Sequence, residues 1–397
     1  MTIEIRPIQE KDLEDYLRIQ QKAYPTYYQG SQSEIEKMIP KMKDRMTADD
    51  LFFYGAFINQ KLVGGMLYLT FKMNFHGQVI DVHGIGSVAV DLLHKKKGIA
   101  KTLVLYALDR AKKDQVEIFS LYPFRPDFYE NFGFGFGSKL FEYQIDPGDF
   151  NMIGDLSSLT DQVSKEDIAA FYDEQWPQVH GMKKKSTLDL SVLKANKIIA
   201  YKEENKILGY MYYKQEKAGG QAGLDQKIVV EEMIYATPKA LQAFSTFFRV
   251  QKDQVDYIQI YTYDENFHQL LNNYSYATRP CLMPYVSHKT SEVGVGLMWR
   301  VMDASQVLGL IQDRTTYRII FNLLHPSGEE ETVTINPDYD KTLELGMKLS
   351  TFSSWVMGNI SLNDLHTYGK LTCDQADLLK KLDHEFNFDS PRCYAHF

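Results

Sequence analysis

The stretch Leu62-Val63-Gly64-Gly65-Met66-Leu67-Tyr68 returns 145 residues later as Ile207-Leu208-Gly209-Tyr210-Met211-Tyr212-Tyr213, and the same spacing carries Val88-Ala89-Val90 onto Met233-Ile234-Tyr235. A fixed offset held without a gap across two apolar segments asks for two copies of one supersecondary plan. The competing reading is chance likeness between two β-rich stretches. Duplication also suits the length: 397 residues exceed what one hydrophobic core organises, so two or three domains of roughly 100–150 residues are expected.

Around the first copy, Ile3–Pro7 reads as a strand, and Leu13, Leu17, Gln20 and Tyr24 fall on one helical stripe. Leu51–Ile58, Lys61–Phe71 and Val79–Val90 read as an antiparallel meander turned at Asn59-Gln60 and at Phe75-His76-Gly77-Gln78. Helical spacing runs from Gly98 to Lys112, Val116–Leu121 returns to strand, and Asp146-Pro147-Gly148 marks a boundary. A third unit begins near Val286, with strands at Arg318–Leu324 and Glu331–Ile335. Gly358 reads as a helix stop, Ser361 as an N-cap, and Thr372-Cys373-Asp374-Gln375 as a capping box opening a helix through about Phe386. No catalytic motif falls in this unit, so a packing or assembly role is expected of it.

Composition narrows the function classes. With 44% hydrophobic and 24% charged residues the chain is expected to be globular, and no segment approaches the ~20 apolar residues of a membrane span or a signal-peptide core, so a cytoplasmic protein is expected. Cys281, Cys373 and Cys393 have neither disulfide nor zinc-site spacing. The net charge of −8 disfavours nucleic acid and favours encounter with cationic small molecules.

The chemistry concentrates in Ser87-Val88-Ala89-Val90-Asp91-Leu92-Leu93-His94-Lys95-Lys96-Lys97-Gly98-Ile99-Ala100, an apolar strand leading through a basic turn into a helix. Unsatisfied amides at a helix start, the helix dipole, small residues at 98 and 100 and nearby lysines together make a pyrophosphate site. Three lysines followed by glycine also suit a plain solvated turn; the strand-to-helix context favours the anion site. Downstream, Phe128-Tyr129-Glu130-Asn131-Phe132-Gly133-Phe134 offers a phenol, Tyr129, that can donate a proton near neutral pH, or simply pack in a short helix.

These two segments resemble the GNAT acetyltransferase superfamily, whose loop has the form Arg/Gln-x-x-Gly-x-Gly/Ala; Lys95, Gly98 and Ala100 take the three positions, with lysine as a departure at the first. The resemblance implies acetyl-CoA as co-substrate, held by Val88, Ala89, Val90, Lys95, Lys96, Lys97, Gly98, Ile99, Ala100, Lys101, Phe124 and Arg125. It also implies a strand amide on the thioester oxygen, Tyr129 as proton donor to the leaving sulfur, and no metal.

Over the whole chain the sequence is similar to the Eis (enhanced intracellular survival) group, which implies an α+β protein. Residues 1–147 would form a GNAT domain, 148–286 a second GNAT-like domain that has lost the loop, and 287–397 a sterol-carrier-like domain. In that group the terminal carboxylate serves as base, which here is that of Phe397, and the assembly is a homo-oligomer, commonly a hexamer. The implied reaction is direct transfer to a primary amine of an aminoglycoside, polyamine or lysine type. A coenzyme A-binding sensor without turnover and an acyl- or lipid-binding protein remain as alternatives. Glu117, Glu130 and His396 are other candidate bases, each with a simpler reading as a surface or pocket-wall group; His83 and His94 read as structural, although His94 lies close enough to the loop to contribute a polar contact.

Overall fold

The computed structural model describes residues 2–28, 30–192, 197–219, 225–276, 281–283 and 287–394. The chain opens with β1 (Glu4–Pro7), α1 (Leu13–Ala23), α2 (Gln32–Arg45), β2 (Leu51–Ile58), β3 (Lys61–Phe75), β4 (Gln78–Val90), α3 (Ile99–Lys113), β5 (Ile118–Leu121), α4 (Pro126–Glu130) and β6 (Gly135–Phe136). The middle third holds β7 (Lys139–Ile145), β8 (Leu159–Thr160), α5 (Lys165–Gln175), α6 (Thr187–Val192), β9 (Lys197–Glu203), β10 (Lys206–Lys217), β11 (Gln226–Tyr235), α7 (Pro238–Arg249) and β12 (Tyr257–Thr262), then the short β13 (Cys281–Met283), β14 (Ser287–His288) and β15 (Glu292–Val295). The last third holds β16 (Met298–Val301), α8 (Ala304–Gly309), β17 (Arg318–Leu324), β18 (Glu330–Ile335), β19 (Thr342–Lys348), α9 (Leu349–Val356), α10 (Leu362–Thr367), β20 (Leu371–Cys373) and α11 (Leu379–Phe386).

Two seven-stranded sheets, ordered β1-β2-β3-β4-β5-β16-β6 and β15-β7-β12-β11-β10-β9-β8, repeat one plan. In each, an antiparallel meander ends in a strand paired parallel to the next, β4 with β5 and β11 with β12. The 145-residue offset survives as register. Gly64 lies opposite Val90 and Gly209 opposite Tyr235, while the Asp91 amide donates to Val63 and the Ala236 amide to Leu208, both at 2.9 Å. The hairpin residues Asn59 and Gln60 have φ of 48° and 64°, and Glu204 and Asn205 have 48° and 67°, the left-handed pair that a two-residue turn needs to match strand twist. The repeated glycine has a repeated cause. A Cβ on Gly64 would meet the Ala89 oxygen and the Ile99 side chain, and one on Gly209 would meet the Ile234 oxygen and Ala240, so in both copies glycine lets the helix close down on the sheet.

The compact units do not follow the linear boundaries at 147 and 286. One comprises residues 1–137, 180–190 and 297–397, the other 138–179 and 191–296. The reason lies in two strands: β7, which follows the first copy directly, pairs with β12 and β15, whereas the place beside β5 and β6 is filled by β16 from beyond the second copy.

In the first unit β3 alternates its side chains between two cores. Leu67, Leu69 and Met73 face one packed by α1, and Met66 and Tyr68 face another packed by α3. The same unit contains the four-stranded sheet β18-β17-β19-β20, in which β17 and β19 run parallel. Its inner face is filled: Ile319, Phe321, Leu323 and Leu345 are fully buried together with Phe352, Trp355, Leu382 and Phe386. The helix expected to open at Thr372 does not. Thr372 and Cys373 pair in β20 with Gly346 and Leu345, and α11 begins only at Leu379.

Candidate active site

β4 runs parallel to β5 from Val82 opposite Ile118 to Ile85 opposite Leu121, and the pairing stops there, while β3 stays with β4 to Val90. Among the described residues the edge of Val88–Val90 on the β5 side is therefore open. The register on the β3 side slips between Gly65–Ala89 and Leu67–Gly86, so Ser87 and Val88 together face Met66 in a bulge, with Ser87 at φ 51°. Two side chains from the C-terminal end of α1 engage that bulge: Gln20 Nε2 donates to the Ser87 carbonyl and the hydroxyl of the capping residue Tyr24 to the Val88 carbonyl, each at 2.8 Å.

Past the strand, Asp91 accepts the Leu93 amide and the His94 Nδ1, both at 3.0 Å, which fixes the turn and gives His94 its partner; the His94 bond holds the Asp91 carboxyl below its usual range. Gly98 then caps α3 in the left-handed conformation, φ 79°, with no side chain on the helix's first amides and no acidic residue in its first turn. Among the described residues beyond its chain neighbours, nothing lies within 4 Å of where a Cβ on Gly98 would stand. Donors, dipole and space thus face the same direction. At the matching start of α7, Thr237 accepts the Ala240 amide at 3.3 Å and Pro238 removes a donor, so fewer amides are left to face a ligand there. The second copy thus lacks the uncapped, glycine-led helix start of the first.

Tyr129 stands in α4, which opens at Pro126. Its ring packs edge-on against Phe128 and Phe134, it is 7% exposed, and its hydroxyl has no hydrogen-bond partner among the described residues. Burial, with a smaller contribution from Tyr24, raises its pKa well above that of a free phenol, so it carries its proton at any ordinary pH. Burial pushes Tyr24 up to about 12. The chain after Tyr129 is braced from afar: Arg300 Nε in β16 donates to the Phe132 carbonyl at 2.7 Å.

These pieces surround a cavity of about 380 Å³. Val88, Ala89, Val90, His94, Lys95, Lys96, Gly98, Ile99, Ala100, Lys101, Phe124 and Arg125 line it with Tyr129, while Lys97 does not. Phe397 and His396 lie outside the described residues. Glu117 and Glu130 are not on its wall, Glu130 bordering instead a larger cavity of about 800 Å³ on the outer face of the C-terminal sheet. That larger space is floored by Asn322, Glu344 and Thr372 and contains none of the strand, loop or helix-start groups, so size is the poorer guide to chemistry here. His83 is structural, bonded through Nδ1 to the Tyr68 hydroxyl at 2.6 Å. The sequence reading omitted Ala23, Tyr24, Phe128 and the supporting Gln20 from the site. Tyr24 and Gln20 were visible on the α1 stripe, but their partners are carbonyls more than sixty residues away.

An acetyltransferase (GNAT) domain family matches residues 4–137, and a second acetyltransferase (GNAT) domain family matches residues 172–301. No curated protein matches the sequence significantly. Among solved structures, a GCN5-related N-acetyltransferase from Anabaena variabilis superposes with a TM-score of 0.79 at 16% identity, covering all of both chains. Eis1 from Mycobacterium abscessus gives 0.75 at 15%, and a probable N-acyltransferase of unknown function from Enterococcus faecalis 0.74 at 19%, each again over the full length of both chains. At these identities the likeness is one of fold.

Proposed function

The chain carries two acetyltransferase (GNAT) domains and is an acyltransferase, and on that premise we propose that its first domain alone moves an acetyl group from acetyl-CoA to a primary amine of a cationic acceptor. The observation that carries this reading is the single cavity joining an open strand edge, an uncapped helix start and a buried, protonated Tyr129. The helix-start amides with Lys95 and Lys96 take the pyrophosphate. The open edge of Val88–Val90 takes the pantetheine amides as a further strand, and a bulge amide stabilises the charge that develops on the thioester oxygen.

Tyr129 gives its proton to the leaving sulfur. A phenol raised so far would be a poor acid toward a hydrated thiolate, but the apolar walls that raise Tyr129 raise the basicity of a thiolate beside it in the same way. The acceptor amine must arrive uncharged; on the family resemblance alone, its proton goes to the Phe397 carboxylate. The chain's net charge of −8 favours capture of polyamine, aminoglycoside or lysine-type acceptors. The inner face of the C-terminal sheet is packed by Phe321, Trp355 and Phe386, which supports a packing role for that sheet over the lipid-carrier alternative. The reading is tested by coenzyme A release from acetyl-CoA in the presence of spermidine, an aminoglycoside and a lysine tripeptide. Acceptor-dependent release supports it, whereas acetyl-CoA binding without release favours the sensor.

A further inference from the structure

Gln20 in the last turn of α1 and Tyr24, the residue that caps its C-terminus, capture consecutive carbonyls, those of Ser87 and Val88, each at 2.8 Å. In a regular strand successive carbonyls point to opposite edges, so one helix face could not take both. The bulge makes it possible by turning the Ser87–Val88 peptide, at the cost of a serine held at φ 51°. Because a trans peptide carries its N–H opposite its C=O, holding the Ser87 carbonyl also aims the Val88 amide away from Gln20, while Ala89 stays paired with Gly65 in the ladder.

The two side chains differ in what else they touch. Tyr24 lines the cavity, whereas Gln20 is 2% exposed and is not on its wall. Gln20 therefore reaches the cavity only through its neighbours, the Ser87 carbonyl it holds and the buried Tyr16 beside it. We infer that Gln20 and Tyr24 are positioning residues for acetyl transfer: as a pair they lock the bulged end of β4 so that the Val88 amide is already oriented for the thioester oxygen.

The inference rests on the acetyl-transfer reading, and its test separates the two. Wild type, Tyr24→Phe and Gln20→Met are assayed for coenzyme A release with acetyl-CoA and spermidine, with KM for acetyl-CoA and kcat determined separately. Tyr24→Phe keeps the ring on the cavity wall and Gln20→Met keeps the volume, so each removes mainly a donor. The expected result is a fall in kcat of about 10- to 100-fold in each variant, the scale of a misplaced catalytic group, with KM for acetyl-CoA nearly unchanged. Gln20→Met alone gives the same reading where Tyr24→Phe folds poorly. Wild-type kcat in both variants, or a loss confined to KM, overturns the positioning role and leaves acetyl transfer standing. An inactive wild type sinks the function itself.

Discussion

Gly98 and Thr237 open corresponding helices in opposite hydrogen-bond states. The Gly98 start is uncapped at φ 79°, and the Thr237 start is closed by its own hydroxyl on the Ala240 amide. One helix therefore offers its amides to an anion and the other does not.

Coenzyme A should accordingly bind with a stoichiometry of one per chain, measured by isothermal titration calorimetry. Gly98→Ala meets no neighbour but forces an L-residue into the left-handed region, about 1–2 kcal/mol, so coenzyme A affinity should fall by roughly 10-fold as the loop relaxes away from this conformation. Two sites per chain, or an unchanged affinity in Gly98→Ala, would count against an anion site specified by this cap.

His76 and His180 stack at 3.8 Å between the β3–β4 turn and the C-terminal helices. His180 Nδ1 accepts the His76 amide at 3.1 Å, so that nitrogen has no room for a proton. Burial, and for His76 the neighbouring His180, lowers the two rings to about 2 and about 4 respectively, against an ordinary value of 6.5. The folded state thus refuses protons that the unfolded chain takes up below pH 6.5. Stability should be full above that pH and fall as pH drops from 6.5 toward 4, by up to ~1.4 kcal/mol per pH unit for each ring. Urea midpoints between pH 7 and 5 measure the slope. His180→Gln can keep both hydrogen bonds without the titration and should reduce the slope by about half; an unchanged slope would place the proton uptake elsewhere.

Lys183 and Asp189 form a fully buried ion pair at 2.6 Å, with Asp189 also accepting the Ser186 amide and hydroxyl. Lys183→Met should destabilise the unit by about 3–5 kcal/mol, because the carboxylate is left without its cation. Adding Asp189→Leu should recover part of that loss. A double variant as unstable as the sum of the singles would show that the pair is not coupled.

The strand–loop–helix run and the repeat were legible because their causes are local: an apolar strand, a glycine where φ is positive, and a glycine where a helix closes on a sheet. The exchange of β7 and β16 was not, since strands of similar character can pair with either sheet and only the tertiary arrangement selects the partner. Thr372-Cys373-Asp374-Gln375 carries a sound capping pattern, yet Leu371–Cys373 gains more as an edge strand on β19, which delays the helix to Leu379. In the site, Lys95, Gly98 and Tyr129 announced themselves by type and spacing. Tyr24 and Gln20 lay on an ordinary amphipathic stripe, and Arg300 on a strand that the sequence assigned to another domain.

The proton donor is the centre of this account, and Tyr129→Phe tests it most directly. The substitution keeps the packing against Phe128 and Phe134 and removes only the hydroxyl. Measured as acceptor-dependent coenzyme A release across pH 6–9, kcat should fall by about 10²-fold or more while KM for acetyl-CoA changes little. Because wild-type Tyr129 stays protonated through this range, its loss should lower the profile without introducing a new limb. Turnover by Tyr129→Phe at the wild-type rate throughout would contradict the account.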